Sequence, residues 1–432
     1  MYEKKRVGII GGGLVGAMCA CYMANRNYEV VLYEKRDDLR KCETETGKSI
    51  NLALSNRGRN ALKSIGLEDI ILKNSVAMKG RLLHDYKGET KFIPYDVIGK
   101  QCLYSISRNN LNQILLNAIS SKKNVELNFN SELISTNQNG SVSIKTQNGI
   151  ITKSFDLIIG ADGAHSALRN QQNNLFSFSQ TYIEHGYVEL KIESRKSEEM
   201  IPNCLHIWPR NDFMMIALPN FDSSWTVTLF MPFQMFDNLK NGDDWMEFFK
   251  LQFKDTINLL GESQIGNLSN LKPRSLISIN CKSYFSGKHY LLIGDAAHAM
   301  VPFYGQGMNA GFEDCYLFDR VLTKNNDDFI KSIKEFSGER IKDGHAICEL
   351  AMYNYKEMRH LVTKDSYRLR KNFDEFLYRY FPNFWIPLYI SVTFTNMPYC
   401  NCVINRKWQD KIIKIALFLI IVIIGILLKF LF

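Results

Sequence analysis

The sequence lacks the spacing patterns of metal-binding and disulfide-bonded proteins. None of its ten cysteines belongs to a C-x-x-C pair, and spaced cysteine and histidine ligands for a structural zinc are missing. We therefore expect free thiols in a reducing compartment and no metal site. The formal net charge is +9, but the basic residues are scattered rather than interleaved with aromatic residues in runs. This distribution argues against binding to nucleic acid.

Export signals, internal repeats and low-complexity tracts are missing as well. The basic residues 4–6 are followed by a short apolar segment with glycines, not by the unbroken apolar segment of a signal peptide. Of the 432 residues, 46% are hydrophobic and 22% are charged, which is typical of a globular protein. A chain of this length has room for two domains with their own cores.

The one long hydrophobic run lies at the C-terminus. Residues 412–432 are apolar except for two lysines and a glycine, and Arg406, Lys407 and Lys411 precede them. At about 1.5 Å per residue, a helix of this length just crosses a hydrocarbon core of about 30 Å. The run is apolar all round, whereas a buried helix, the alternative, would show an amphipathic stripe. We expect a tail anchor with its basic flank in the cytosol.

A glycine-rich motif near the N-terminus predicts a dinucleotide site. Gly11, Gly13 and Gly16 form G-x-G-x-x-G between an apolar strand pattern and a helical pattern. Such glycines permit a tight turn, the close approach of a pyrophosphate, and packing of the helix on the sheet. A second strand pattern ends in Glu34, a carboxylate that can accept hydrogen bonds from ribose hydroxyls. A glycine-rich turn without a ligand is the alternative, but it leaves Glu34 unexplained.

The remaining patterns predict an α/β protein with an inserted sheet. Alternating β-rich segments dominate from about residue 171 to 285 and predict a sheet with one covered face. The dinucleotide-binding domain is then discontinuous. The expected division is 1–75, 100–170 and 286–325 for that domain, 76–99 and 171–285 for the β-sheet substrate domain, 326–405 for a helical region that closes the pocket, and 412–432 for the anchor.

Two further motifs follow buried strand patterns, namely Asp162-Gly163 and Gly294-Asp295. Together with the first motif, this trio resembles the signature of the single-component flavin-dependent aromatic hydroxylases. The resemblance implies a Rossmann-like FAD-binding domain of the GR2 type, an inserted antiparallel sheet, FAD as cofactor, and NADPH and O2 as co-substrates. A second nicotinamide-binding unit is missing from the sequence, so NADPH is expected to bind transiently on the FAD domain. The missing C-x-x-C pair also excludes a disulfide reductase.

Longer segments are similar to the kynurenine-hydroxylating members of that family. They are residues 49–58, 206–215, 294–303, 305–314 and 352–359. By this resemblance the substrate is L-kynurenine, the product is 3-hydroxy-L-kynurenine, and the membrane is the mitochondrial outer membrane, with the endoplasmic reticulum as the alternative. The FAD contacts it implies, beyond the three motif glycines, are Val15, Glu34, Arg36, Ala53, Arg108, Leu133, Asp162, Asp295, Met308 and Asn309. The substrate contacts it implies are Arg81, Tyr95, Asn354 and Tyr389.

Several of these residues fit their roles by their chemistry. Arg108 begins a predicted helix, where a cation is unfavourable unless an anion lies nearby. Arg81 and Tyr95 lie on adjacent predicted strands, and a guanidinium with a phenol can hold a carboxylate. From the residues alone, a surface ion pair is the favoured interpretation of Arg81. The resemblance reverses this and implies a substrate contact. His298 is expected to bond to backbone at a helix start, and no acid–base residue is assigned.

Two rival functions remain open from the sequence. The first is a hydroxylase of the same fold that acts on another aromatic acid. The second is a membrane-tethered FAD-binding protein without turnover. The set of predicted substrate contacts separates the first rival from a kynurenine hydroxylase, and the glycine-rich segment 305–309 argues against the second.

Overall fold

The computed structural model describes residues 4–41, 51–99, 101–172 and 176–431. The strands in these residues are β1 (Arg6–Ile10), β2 (Glu29–Tyr33), β3 (Asn51–Leu54), β4 (Val76–Met78), β5 (Gly80–His84), β6 (Thr90–Pro94), β7 (Leu103–Ser107), β8 (Val125–Asn128), β9 (Glu132–Thr136), β10 (Ser141–Thr146), β11 (Gly149–Ser154), β12 (Leu157–Gly160), β13 (Phe178–Ile192), β14 (Cys204–Arg210), β15 (Phe213–Pro219), β16 (Trp225–Pro232), β17 (Arg274–Cys281), β18 (Phe285–Ser286) and β19 (Tyr290–Leu292). The helices are α1 (Leu14–Asn25), α2 (Asn56–Ser64), α3 (Glu68–Lys73), α4 (Arg108–Ser120), α5 (Ala167–Gln171), α6 (Phe233–Asn238), α7 (Gly242–Gln252), α8 (Ile257–Leu260), α9 (Glu262–Gly266), α10 (Asp295–His298), α11 (Gly307–Lys324), α12 (Phe329–Arg359), α13 (Asp365–Tyr380), α14 (Leu388–Phe394) and α15 (Tyr399–Leu431).

A six-stranded sheet in the order β18-β19-β12-β1-β2-β8 carries the glycine motif. Strands β19, β12, β1, β2 and β8 are parallel, and only β18 runs the other way. The inner strands are continuous runs of buried apolar residues, as expected where both faces of a parallel sheet are covered. Because the strands are parallel, the ends of β1, β2, β12 and β19 meet at one edge, which brings the three sequence motifs together.

A seven-stranded sheet in the order β17-β13-β16-β15-β14-β5-β6 forms the second layer of the fold. Its pairings are antiparallel except that between β14 and β5. The expectation of one covered face is wrong for the central strands β14, β15 and β16, because both of their faces are buried. Trp208 and Met215 pack with α7 on one face, while Met214 and Phe230 pack with α12 on the other. Consecutive residues of β14 and β15 are therefore buried, and the inside–outside alternation of a half-exposed sheet is lost.

The described residues also form two three-stranded sheets. They have the orders β3-β7-β4 and β11-β10-β9. Strand β4 lies within the expected substrate segment 76–99, yet it pairs with β7 rather than with the seven-stranded sheet. Strand β3 begins at Asn51, and residues 49–50 lie outside the described part of the chain.

The C-terminal helices pack against both large sheets and end in one long helix. Helix α15 is continuous from Tyr399, through the expected boundary at 405–412, to Leu431. Its first part packs on the protein body, and Gln409 is fully buried. Within the described residues, α15 is the one helix long and apolar enough to cross a membrane, and its apolar window is wholly exposed. The helix therefore agrees with the predicted anchor.

Candidate active site

A cleft of about 380 Å³ opens at the ends of β1, β2 and β12. Ten of the thirteen residues predicted to contact FAD line it. They are Gly11, Gly13, Val15, Glu34, Arg36, Arg108, Leu133, Asp162, Asp295 and Met308. The first turns of α1 and α11 also face the cleft, and N–H groups in a first helical turn have no partner within the helix. These groups favour an anionic ligand such as a pyrophosphate.

The three motif glycines have three different reasons to lack a side chain. Gly11 has a φ of +104°, and a Cβ there would lie 2.5 Å from the carbonyl oxygen of Ala161. A Cβ on Gly16 would lie 1.9 Å from the carbonyl oxygen of Gly11, so the residue allows α1 to pack on the turn. A Cβ on Gly13 would have no described protein atom within 4 Å. Only Gly13 thus leaves space for a ligand.

Hydrogen bonds from two neighbouring segments hold the carboxylate of Glu34, the residue that follows β2. Its carboxylate accepts hydrogen bonds from the backbone N–H of Gly12 at 2.7 Å and from Nε of Arg36 at 2.7 Å. Burial opposes the charge on this carboxylate, but the bonds from Arg36 and Gly12 outweigh it and hold the pKa below its usual range. Glu34 is therefore a fixed anion at the position expected for a ribose contact.

Two further carboxyl groups face the cleft, and each has a pKa above its usual value. Oδ2 of Asp162 accepts a hydrogen bond from the backbone N–H of Leu168 at 3.1 Å, whereas Oδ1 is buried without a partner among the described residues. Burial raises the pKa of Asp162 and of Asp295. For Asp295, the positive charge of Arg108 partly opposes this increase in pKa. Both carboxyls are thus suited to hydrogen-bond the hydroxyl groups of a ligand.

The other three predicted FAD residues lie beside the cleft and support its walls. Gly16 lies under the turn, as described above. The Asn309 side chain accepts from the Ser55 N–H at 2.9 Å and donates to the carbonyls of Ala53 and Gly305 at 2.8 and 2.7 Å. Asn309 therefore joins the start of α11 to β3 through its side chain, and only its backbone N–H is left for a ligand.

A second cavity, of about 90 Å³, surrounds Arg81. The guanidinium of Arg81 lies 3.2 Å from Oε1 of Glu357 and 4.3 Å from the ring centre of Tyr389. Tyr95 and Tyr304 both stack on Tyr389, each at 5.7 Å between ring centres. The structure thus brings three of the four predicted substrate residues, Arg81, Tyr95 and Tyr389, into one aromatic enclosure.

Polar atoms in this enclosure are ready for a ligand. Nε of Arg81 and the hydroxyl of Tyr95 are buried without a well-formed hydrogen bond to any described residue. A buried polar group without a partner costs about 1–3 kcal/mol, which a bound carboxylate would recover. Burial raises the pKa of the Tyr95 phenol well above its usual value, so the hydroxyl stays protonated and can donate.

Asn354, the fourth predicted substrate residue, lies outside this cavity. Its Nδ2 donates to the carbonyl of Phe303 at 2.7 Å, and its Oδ1 is buried without a described partner. The two cavities share no lining residue. The segment 302–308 lies between them, since Tyr304 stacks on Tyr389 and Met308 lines the cleft. Asn354 therefore holds the wall between the two cavities.

Sequence reasoning missed Glu357 and misplaced His298. Glu357 follows Asn354 by three residues on α12, so helical spacing placed it on the same face. His298 does not bond to backbone as expected, because its Nε2 contacts the Asp314 carboxylate at 2.6 Å. Asp314 also accepts from Arg340 at 2.7 Å, and these charges lower its pKa against the opposing effect of burial. His298 is thus part of a buried ion network.

Comparison with solved structures identifies the fold. 2-Methyl-3-hydroxypyridine-5-carboxylic acid oxygenase superposes with a TM-score of 0.70 at 19% identity, over 83% of this chain and 93% of the other. The p-nitrophenol 4-monooxygenase of Pseudomonas putida superposes with a TM-score of 0.69 at 18% identity, over 87% of this chain and 94% of the other. At these identities the similarity concerns the fold alone.

Sequence comparison is more specific. The family described as FAD binding domain matches residues 4–325. Kynurenine 3-monooxygenase of Anopheles gambiae is 49% identical over 96% of this chain and 87% of the relative, and that of Sus scrofa is 44% identical over 96% and 89%. The enzyme of Drosophila willistoni is 47% identical over 95% of this chain and 92% of the relative. The chain therefore belongs to the kynurenine 3-monooxygenase family of FAD-dependent flavoprotein monooxygenases.

Proposed function

We propose that this protein hydroxylates L-kynurenine to 3-hydroxy-L-kynurenine with NADPH and O2, using FAD. The observation that carries the proposal is the position of Arg81. A buried guanidinium with an unpartnered donor lies in an aromatic enclosure, and the segment 302–308 lies between this enclosure and a dinucleotide cleft. This arrangement suits a substrate with a charged carboxylate at one end and an aromatic ring at the other.

The cleft residues fit FAD. Gly13 leaves the turn open for a pyrophosphate, Glu34 is placed for ribose hydroxyls, and the unpartnered Oδ1 of Asp162 needs a ligand. We propose that Asp295 and the backbone N–H groups of the first turn of α11 contact the flavin end of the cofactor. When bound, FAD accepts hydride from NADPH and activates O2 for transfer of one oxygen atom to the ring. The protein contributes position, a dry enclosure and fixed dipoles.

The Arg81–Glu357 pair suits an amino acid rather than a simple aromatic acid. Arg81 and Tyr95 would hold the substrate carboxylate, and Glu357, 3.2 Å from Arg81, would attract the α-ammonium group. Salicylate and anthranilate lack that ammonium group on a side chain. They would leave the buried Glu357 without its second partner, which is costly. Asn354 would act by holding Phe303 beside the substrate ring.

The domain division of the sequence is part of this proposal. The segments 1–75, 100–170 and 286–325 would bind FAD and, transiently on their surface, NADPH. The segments 76–99 and 171–285 would supply the substrate sheet, and 326–405 would close the pocket. The C-terminal helix would anchor the protein in the mitochondrial outer membrane with its body in the cytosol, a location that imaging of the full chain against outer-membrane and endoplasmic-reticulum markers would test.

Substrate-stimulated NADPH oxidation tests the proposed reaction. Purified full-length protein with FAD is assayed with L-kynurenine, salicylate and anthranilate, and the product is identified by mass. Stimulation by L-kynurenine with a gain of one oxygen atom supports the proposal. Stimulation only by another acid would favour the rival hydroxylase, and flavin that NADPH does not bleach under anaerobic conditions would favour a binding protein without turnover.

A further inference from the structure

Helix α13 exposes an unusually apolar face, although it lies on a folded protein body. Leu369, Phe373, Phe376 and Tyr380 follow one another at spacings of four, three and four residues, which places them on one side of the helix. The chain after the helix adds Phe381 and Phe384 to the same stretch. These six side chains, here named the α13 apolar surface, are each 44–73% exposed. An exposed patch of this kind marks an interaction site.

The α13 apolar surface is fixed rigidly to α15. Asp374, which is buried, accepts from both Arg370 and Arg406, and Arg370 in turn contacts Asp410 at 2.6 Å. The indole N–H of Trp385 also donates to Asp374 at 2.9 Å. Two of these ion pairs, Asp374–Arg406 and Arg370–Asp410, join α13 to α15, so the two helices form one unit. Any orientation that α15 takes is therefore transmitted to the α13 apolar surface.

The contacts also place the Phe384 end of this surface at the level where the apolar run of α15 begins. The ring of Phe384 packs against Trp408 at 5.2 Å between ring centres. Trp408 precedes residue 412, the start of the apolar run, by four residues, or about 6 Å along a helix axis. Headgroup regions extend about 5–8 Å beyond each side of the hydrocarbon core. Phe384 thus lies within the headgroup layer when α15 spans the membrane, and Phe373 lies next to it because its ring packs on Trp385 at 6.3 Å between ring centres.

The charges around the surface match an anionic lipid layer. Arg379 is exposed on α13, and Lys407 and Lys411 are exposed on the adjoining part of α15, whereas the exposed Arg368 is paired with Asp365 at 3.4 Å. Basic residues close to an anionic membrane are attracted to its surface. Aromatic side chains with basic neighbours are the typical composition of protein segments at the membrane–water interface.

We propose that the α13 apolar surface docks on the cytosolic headgroup layer of the membrane that α15 crosses. The proposal rests on the proposed tail anchor and adds a second, peripheral contact. Since α13 also supplies Tyr367 and Lys371 to the cavity around Arg81, docking would hold one wall of that cavity against the membrane. A second copy of the chain or another protein would be a different occupant of the same surface, and the experiment below separates these cases.

Site-specific photocrosslinking tests the docking. The full-length protein with FAD is placed in nanodiscs of phosphatidylcholine and phosphatidylserine after Phe376→p-benzoylphenylalanine substitution. The matched control is Phe221→p-benzoylphenylalanine, because Phe221 is similarly exposed at 67% but lies in the turn between β15 and β16. Each substitution adds a benzoyl group to an exposed ring, so both variants should fold and bind as much flavin as the parent. The amount of bound flavin therefore serves as the control for folding. Adducts are identified by mass.

A lipid adduct at position 376, at least tenfold more abundant than at position 221, is the expected result. Equal lipid adducts at both positions, a cross-linked dimer at position 376, or no adduct at position 376 in disc-bound protein would overturn the docking while leaving the anchor intact. A chain that does not enter nanodiscs would overturn the anchor and the docking together. Loss of kynurenine hydroxylation with normal lipid adducts would contradict only the proposed reaction.

Discussion

Replacing Arg81 by methionine should separate substrate binding from cofactor binding. Methionine keeps much of the length and apolar contact of the arginine stem but removes all five N–H donors. Arg81 lines only the smaller cavity, so the FAD cleft is untouched. We therefore expect the Arg81→Met variant to retain FAD and to lose affinity for L-kynurenine.

The size of the loss follows from the bonds removed. A hydrogen bond to a charged group contributes about 1.5–3 kcal/mol, and a bidentate carboxylate contact contains two of them. Part of that energy is recovered by water when substrate is absent, so we expect a net loss of about 3–4 kcal/mol. At about 1.4 kcal/mol per tenfold change, kcat/KM for L-kynurenine should fall roughly 10²- to 10³-fold. Most of the change should appear in KM.

Two control variants separate the loss of the Arg81 contact from a general loss of stability. Arg81→Met leaves the buried carboxylate of Glu357 unpaired, which destabilises the fold, and the double variant Arg81→Met/Glu357→Gln removes that charge. The second control is Arg359→Met. Arg359 lies on the last turn of α12, the helix that carries Glu357, and outside both cavities, so this variant should keep kcat/KM within about threefold of the parent. Flavin loss in the double variant, or an unchanged KM for L-kynurenine, would refute the role of Arg81.

Three further predictions concern the cleft, the inserted sheet and the anchor. Asn309→Ala removes three side-chain hydrogen bonds, to Ala53 on β3, to Ser55 after β3 and to Gly305 before α11, so the free energy of unfolding should fall by about 2–3 kcal/mol and FAD should dissociate faster, as followed by flavin fluorescence. Burial lowers the pKa of His206 to about 4, so the folded state keeps it neutral while the unfolded chain protonates near pH 6.5. The contribution of neutral His206 to the free energy of unfolding is therefore complete above pH 6.5 and is lost as pH falls toward 4. Urea unfolding should show a free energy of unfolding about 2–3 kcal/mol lower at pH 4.5 than at pH 7. The His206→Gln variant should lack this difference. Deleting residues 412–432 should release flavin-loaded protein from membranes, whereas a deletion from 404 would also remove the buried Gln409 and should destabilise the body; membrane-bound protein after the shorter deletion would contradict the anchor.

The sequence alone was sufficient for features with a local pattern. The G-x-G-x-x-G turn, the acid that ends β2, and the apolar C-terminal run each depend on residues close together in the chain. The parallel sheet then brings Asp162 and Asp295 to the same edge as Gly11, a placement that follows from the rule for strand ends. The approach of Arg81 on β5 and Tyr95, the residue after β6, follows similarly from the pairing of these two neighbouring strands.

The features that could not be predicted depend on contacts between distant segments. Glu357 pairs with Arg81 across 276 residues, and His298 turns to Asp314 because α10 and α11 fold back on each other. The second covered face of the large sheet arises where α12 packs on it, which strand periodicity does not reveal. The apolar surface of α13 would read as a buried helix face in a sequence, and only its exposure shows otherwise.

The central claim is that one bound flavin works beside a pocket shaped for kynurenine. The visible spectrum of the purified full-length protein, recorded before and after addition of NADPH with L-kynurenine, tests it most directly. We predict flavin absorption that bleaches faster with L-kynurenine than without it under anaerobic conditions, then returns with air as a product one oxygen atom heavier appears. A colourless protein that cannot take up FAD, or a bleaching rate that L-kynurenine does not change and no heavier product, would contradict the account.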